Sequence, residues 1–352
     1  MNDKLAQMVI ISPKIDKDNI SNIWKEIINN WSEFRECLCN KNTRMKMMTQ
    51  MKLSSFMIND SSKLTYKLIS SKKELVIYLW SLGLPQWLRQ RFWRIVIGNT
   101  LDICESFYES LKISVEPLQE TVSSKMIHDI EKVGKYYNEY ILDKHSSYNE
   151  DIYDIVSLFV SFRIDIQYEK YLVYISTVCY LNSDSVYNAF VLFSNFIISS
   201  GLLKLVSDAK EMKMAINFIN NILQQYYKEL YSCLIDKWNI PIELKLQKWF
   251  SRLYTKYFPY EIIIRVWDNY IIKGNIYIYE VAIGIFGLLK KHIMNSSDLK
   301  EVIKMLDTFP SHLYTEEELF TEINHINIDE NYYETFENYT IGIEKGELFK
   351  NI

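Results

Sequence analysis

From Lys72 onward apolar residues recur every three or four positions, the spacing of one face of an α-helix. Glu74–Ser81 reads as a short helix, broken at Gly83-Leu84-Pro85. Trp87–Ile97 is predicted as a second helix, with Gly98-Asn99 as its C-terminal stop. Helices over Ile103–Leu111, Ser124–Tyr137 and Ile152–Phe162 follow; in the last, Ile152, Ile155, Val156, Phe159 and Phe162 make one apolar stripe. Asn182-Ser183-Asp184 reads as the cap of the next helix. Pro241, Pro259, the Lys273-Gly274-Asn275 turn and Pro310 mark later boundaries. Upstream, Asp16–Cys39 places Ile20, Ile23, Trp24, Ile27, Ile28, Trp31 and Phe34 on one helical face. The segment 41–63, rich in Lys, Met and Ser, reads as a loop or a loosely packed helix. No run has the alternation of a sheet, and no short repeat period appears. The pattern therefore predicts an all-α protein: an N-terminal extension at 1–75 with an amphipathic helix, a helical domain at 76–330 and a C-terminal tail at 331–352.

Composition sharpens this picture. Only 9 Gly and 6 Pro occur in 352 residues, which favours long helices with short connections. With 48% hydrophobic residues the chain has ample material for a core. The apolar stretch Tyr187–Val206 is interrupted by Asn188, Ser194, Asn195, Ser199, Ser200 and Lys204, so it reads as a buried core helix and not as an integral membrane segment. The net charge of −4 argues against a nucleic-acid partner, which calls for a basic face. Five scattered cysteines and no signal peptide point to a reducing, cytoplasmic compartment. Cys37 and Cys39 are too close for a zinc pair and the five histidines lack ligand spacing, so no metal and no cofactor is expected.

Four ordered blocks carry more specific information. The first is Gly83-Leu84-Pro85-Gln86-Trp87-Leu88-Arg89-Gln90-Arg91-Phe92-Trp93, in which Arg89 and Trp93 share one helical face. The second is Met126-Ile127-His128-Asp129-Ile130-Glu131-Lys132. The third runs Phe162-Arg163-Ile164-Asp165-Ile166-Gln167-Tyr168-Glu169-Lys170-Tyr171-Leu172. The fourth is Trp249-Phe250 followed by Phe258-Pro259-Tyr260-Glu261-Ile262-Ile263-Ile264-Arg265-Val266-Trp267-Asp268. In this order and separation, over about residues 80–325, the blocks resemble the TBC domain, the Rab GTPase-activating domain. The resemblance implies a two-lobed helical fold, with Arg89, Trp93, Arg265, Trp267 and Asp268 as structural motif residues.

The same resemblance implies two catalytic fingers, and both are changed here. The family's catalytic arginine falls on Lys132, and no arginine occurs between Arg94 and Arg163. The glutamine that orients the attacking water falls on Lys170, and the glycine after it is Tyr171. A lysine is a compact, hydrated point charge, not the planar fork that stabilises a phosphoryl transition state. An ammonium only donates hydrogen bonds, so Lys170 cannot accept one from the nucleophilic water. Asp129, Asp165 and Tyr168 are the expected GTPase-binding residues, lining a groove with the two lysines. From its spacing alone Asp129 reads equally well as a solvated helix carboxylate, and Lys170 as a solvated surface lysine. Glu150-Asp151 and Glu316-Glu317-Glu318 read as charged helix starts. The resulting expectation is a pseudo-GAP: a non-catalytic domain that binds a Rab-type small GTPase or serves as an adaptor in membrane traffic, peripheral to membranes through its partner. Two other readings stay open, an active Rab GTPase-activating protein with unconventional residues and a helical scaffold without a GTPase partner.

Overall fold

The computed structural model of the chain describes residues 84, 86–142, 147–326 and 328. The expected helices at 16–39 and 74–81, the segment 41–63 and the tail at 331–352 lie outside these residues. Every regular element among the described residues is helical. The chain divides into two compact units between Val96 and Ile97.

Before that division stands most of α1, Gln86–Ile97. Arg89 is buried on it and donates from Nη1 to Gln86 Oε1 and from Nη2 to the Leu84 carbonyl, both at 2.6 Å. A guanidinium so placed satisfies the backbone where the chain enters the helix. Trp93, one turn on, is fully buried. The helix stops at Gly98, whose φ of +72° suits glycine.

The next helices are α2 (Glu105–Ser114), α3 (Glu120–Tyr136), α4 (Asn138–Leu142), α5 (Tyr148–Phe162), α6 (Lys170–Leu181) and α7 (Val186–Ser199). Several start away from the place the apolar pattern marks. Helix α5 gains a polar first turn in which Glu150 and Asp151 suit the positive end of the helix dipole. Asp151 is more than a solvated start: its Oδ2 accepts from Ser147 Oγ at 2.7 Å and Tyr180 Oη at 2.6 Å. Helix α6 is buried from Leu172 to Leu181 and packs on α3, α5 and α7. The cap of α7 is Ser185, whose hydroxyl accepts from the Asn188 backbone at 3.1 Å. The expected cap at Asn182–Asp184 is thereby corrected. Asn182 closes α6 instead, donating to the Val178 carbonyl and to Tyr260 Oη. The polar interruption of the 187–206 stretch is structural: buried Asn195 accepts from Thr100 Oγ1 and the Leu101 amide, and donates to Asn99 Oδ1. No helix among the described residues is long and apolar enough to cross a membrane.

The remaining helices are α8 (Leu202–Ser207), α9 (Ala209–Tyr226), α10 (Lys228–Ser232, continued by a π turn), α11 (Ile242–Ser251), α12 (Tyr260–Lys273), α13 (Asn275–Asn295), α14 (Leu299–Thr308) and α15 (Glu316–His325). Helix α13 is their spine and packs on α9, α11, α12 and α15. At Gly284 a Cβ would meet Ile323 Cγ1 at 2.7 Å and its Cα at 3.2 Å, so the approach of α15 requires glycine there. The acidic start of α15 forms a capping box between Thr315 and Glu318. Trp267 on α12 joins the two helix groups. Its ring stacks on Phe196 of α7 at 4.8 Å and 9°, and its Nε1 donates to the Leu253 carbonyl at 3.3 Å.

Candidate functional site

Helix α3 presents Met126, Asp129, Ile130 and Val133 as one buried stripe. Asp129 is thus a carboxylate on the apolar face, 6% exposed, and must be compensated. The compensation comes from the segment leading into α6. Tyr168 Oη donates to Asp129 Oδ2 at 3.0 Å, and Lys170 Nζ donates to Asp129 Oδ1 at 2.6 Å. Burial, reinforced by the Asp129 charge, pushes the Tyr168 phenol well above its ordinary range, so it stays protonated as a donor. Lys125, one turn before Asp129, stands over the Tyr168 ring at 5.5 Å.

The pairing has a local electrostatic reason. Lys170 is the first residue of α6, where the helix dipole disfavours a cation. Asp129 opposes that effect with an anion at close range. The ammonium is half-buried, with 27% of its side chain exposed. Neither residue is therefore the solvated charge its spacing allows.

Asp165 takes a different place. It is exposed and forms a bidentate pair with Arg163, at 2.8 Å to Nε and 2.6 Å to Nη2. The guanidinium holds the Asp165 carboxyl below its ordinary value. The structure therefore brings together Asp129, Tyr168 and Lys170, while Asp165 points its charge at its own loop. Lys132 is exposed on α3, one turn past Asp129. Among the described residues no cluster of His, Cys, Asp and Glu could hold a metal.

A family comparison decides what this arrangement belongs to. The model of the Rab-GTPase-TBC domain matches residues 86–294. The chain belongs to this family. It is similar to TBC1 domain family member 12 of Rattus norvegicus, 24% identical over 293 residues, which cover 76% of this chain and 41% of that protein. It is also similar to human TBC1 domain family member 14, 23% identical over 70% of this chain and 38% of that one. Drainin of Dictyostelium discoideum is 22% identical, with 70% and 68% covered. The chain thus spans about two fifths of the first curated relatives it matches. Among solved structures, the Chlamydomonas flagellar RabGAP TBC domain superposes with a TM-score of 0.59 at 13% identity, covering 84% of this chain and 94% of that one. The Ypt/Rab-GAP domain of Gyp1p gives 0.54 at 14% identity, covering 79% and 96%. These two likenesses show a shared TBC fold.

Within the TBC fold the motif residues divide by environment. Trp93 and Trp267 are fully buried, Arg89 is 3% and Asp268 2% exposed. Arg265 is partly exposed and clips α12 to α15 through Glu316, with its guanidinium 4.0 Å from the Phe320 ring centroid. Reading the sequence passed over two residues beside the site, Arg252 and Lys256, which fall between the Trp249-Phe250 and Phe258-Pro259 halves of the fourth block. Arg252 stands over the Tyr174 ring at 5.5 Å, and Tyr174 lies one turn after Lys170 on α6. The only sequence signal was two cations set into an otherwise aromatic segment.

Proposed function

We propose that this TBC domain is a pseudo-GAP. It binds a Rab-type small GTPase, or acts as an adaptor in membrane traffic, without driving hydrolysis. The observation that carries the reading is the 2.6 Å pair between Lys170 and Asp129. At the glutamine position stands a cation already committed to a buried carboxylate. Reaching a bound nucleotide would require leaving the Asp129 carboxylate, 6% exposed, without its cation and with Tyr168 as its remaining described donor, a cost of about 1–3 kcal/mol. Even released, the ammonium could not accept a hydrogen bond from the attacking water. Lys132 at the arginine position brings charge without the fork. Asp129, Tyr168 and Lys170 form the centre of the proposed GTPase-binding face, with Lys132 and Asp165 at its edge. The scattered cysteines fit a cytoplasmic site of action, with any membrane association made through the partner.

The test has two arms. Single-turnover GTP hydrolysis is measured for a panel of Rab-type proteins with and without the full chain, and binding is measured with each GTPase locked in either nucleotide state. We expect binding to at least one GTPase with little or no acceleration. Acceleration near the roughly 10³–10⁵-fold of an arginine finger would overturn the non-catalytic reading. Absence of binding across the panel would favour a scaffold without a GTPase partner.

A further inference from the structure

The loop joining α11 to α12 is built unlike any other described connection. Leu253 and Tyr254 are consecutive, fully buried and both left-handed, with φ of +44° and +62°. Neither is a glycine, so the surroundings must impose this backbone. Three contacts do so. The Leu253 carbonyl accepts from Trp267 Nε1 at 3.3 Å, Tyr254 Oη donates to the Ile278 carbonyl at 2.6 Å, and Tyr137 Oη donates to the Thr255 carbonyl at 2.7 Å.

What this rigid loop holds out is positive charge. Arg252 lies on the Tyr174 ring, one turn along α6 from Lys170. Lys256 is exposed four residues later. Partial desolvation holds the proton affinity of Lys256 below its ordinary value, and the fields of Arg252, Lys170 and Lys248 add to that, with Asp307 opposing. Lys248 stands one turn before Arg252 at the end of α11 and Lys256 four residues after it, so these cations follow one another along the chain where Arg252 meets α6. Asp129 is paired with Lys170 at 2.6 Å, and Asp307 with Lys245 at 2.5 Å. This face is opposite in sign to a chain whose net charge is −4.

We propose that Lys248, Arg252 and Lys256 form, beside Lys170, a docking site for an acidic, carboxylate-rich surface segment of a partner protein. The cations stand on α11, its following loop and α6, a spread that suits several carboxylates better than one compact anion. Such a site steers association and selects partners by charge complementarity. The GTPase-binding reading above supplies only the identity of the protein that carries the acidic segment.

The test uses the full chain and a fluorescent oligoglutamate peptide, with binding read by anisotropy at low and high salt. Wild type should bind at low salt and weaken as salt rises. Arg252→Glu and Lys256→Glu should each weaken binding about tenfold or more, and Lys213→Glu, an equal charge change on α9, should not. Lys256 is exposed, so its variant keeps the test valid if loss of the Arg252 ring contact disturbs folding. Equal affinity in Lys256→Glu and Lys213→Glu overturns the proposal, as does full displacement of the peptide by stoichiometric inorganic pyrophosphate, which would reveal a compact phosphate site. The same variants are then tested on the Rab-type panel. If no GTPase binds wild type while the peptide still distinguishes the variants, the docking site stands and the GTPase reading falls. If the peptide fails to distinguish the variants while a GTPase binds wild type and Lys256→Glu equally, the docking site falls and the GTPase reading stands.

Discussion

Helix α12 and the segment leading into α6 each carry a family motif, yet they hold it in opposite ways. In α12 the motif is packing: Trp267 is sealed against Phe196, Asp268 is buried, and Arg265 bridges to α15. In the 162–172 segment most of the motif is surface. Ile164 and Asp165 are exposed, and only Ile166, Tyr168 and Leu172 are buried. A residue held by the core cannot change without a cavity or an unsatisfied group. A residue near the surface can be replaced at little cost to folding, provided its replacement finds a partner. Lys170 has such a partner in Asp129. The buried motif of α12 bears on the fold, and on the pseudo-GAP proposal the 162–172 segment bears on catalysis and can change while the fold persists.

The sharpest way to break this comparison is Trp267→Ala. Loss of a fully buried indole stacked on Phe196 should cost about 3–5 kcal/mol. Chemical denaturation of the variant would show it, and an unchanged midpoint would mean that α12 does not carry the fold. Next in size is Lys170→Met, which strands the Asp129 carboxylate with Tyr168 as its remaining described donor. We expect destabilisation of about 1–3 kcal/mol, with Lys170→Gln milder because its amide can still donate. If methionine is tolerated as well as glutamine, the ion pair is not what settles this segment.

A smaller effect, read as activity, is expected from repair. On the pseudo-GAP proposal, Lys132→Arg with Lys170→Gln should restore the fork and the water-orienting amide, and the two should act synergistically. Recovery should stay well below the roughly 10³-fold of an intact finger, because on the same proposal Tyr171 takes the place of the family's glycine; adding Tyr171→Gly should raise it further. Tight GTPase binding by the triple variant with no hydrolysis at all would locate the divergence in docking geometry. The smallest effect is expected for Asp165→Asn. Arg163 lowers the Asp165 carboxyl in the folded state, so the pair helps folding only above the ordinary value of 3.8 and loses that help as pH falls through the folded value. The pair is exposed, so at neutral pH the melting temperature should hardly move, and below the ordinary carboxylate range variant and wild type should coincide. A large loss at pH 7 would show that this surface loop bears on the fold after all.

Periodicity and punctuation alone determined the helical class, the stop at Gly98, the start after Pro259 and the acidic cap of α15, because these depend on residues a few positions apart. The four blocks carried the family, and Trp93 and Trp267 were legible as buried because large apolar side chains at helical spacing have few other places to go. Tertiary structure decided the rest. Whether Asp129 is solvated or buried depends on what faces α3, and that is a segment some forty residues later. The cap of α7 moved to Ser185 because Asn182 was drawn to Tyr260, far along the chain. Asp165 matched its motif by position but spends its charge on its neighbour Arg163. Arg252 and Lys256 join Lys170 only because a strained turn, held by Trp267 and Tyr137, carries α11's end to α6. Local chemistry is written in local sequence, but charge compensation acts through space, and only the folded chain sets which charges meet.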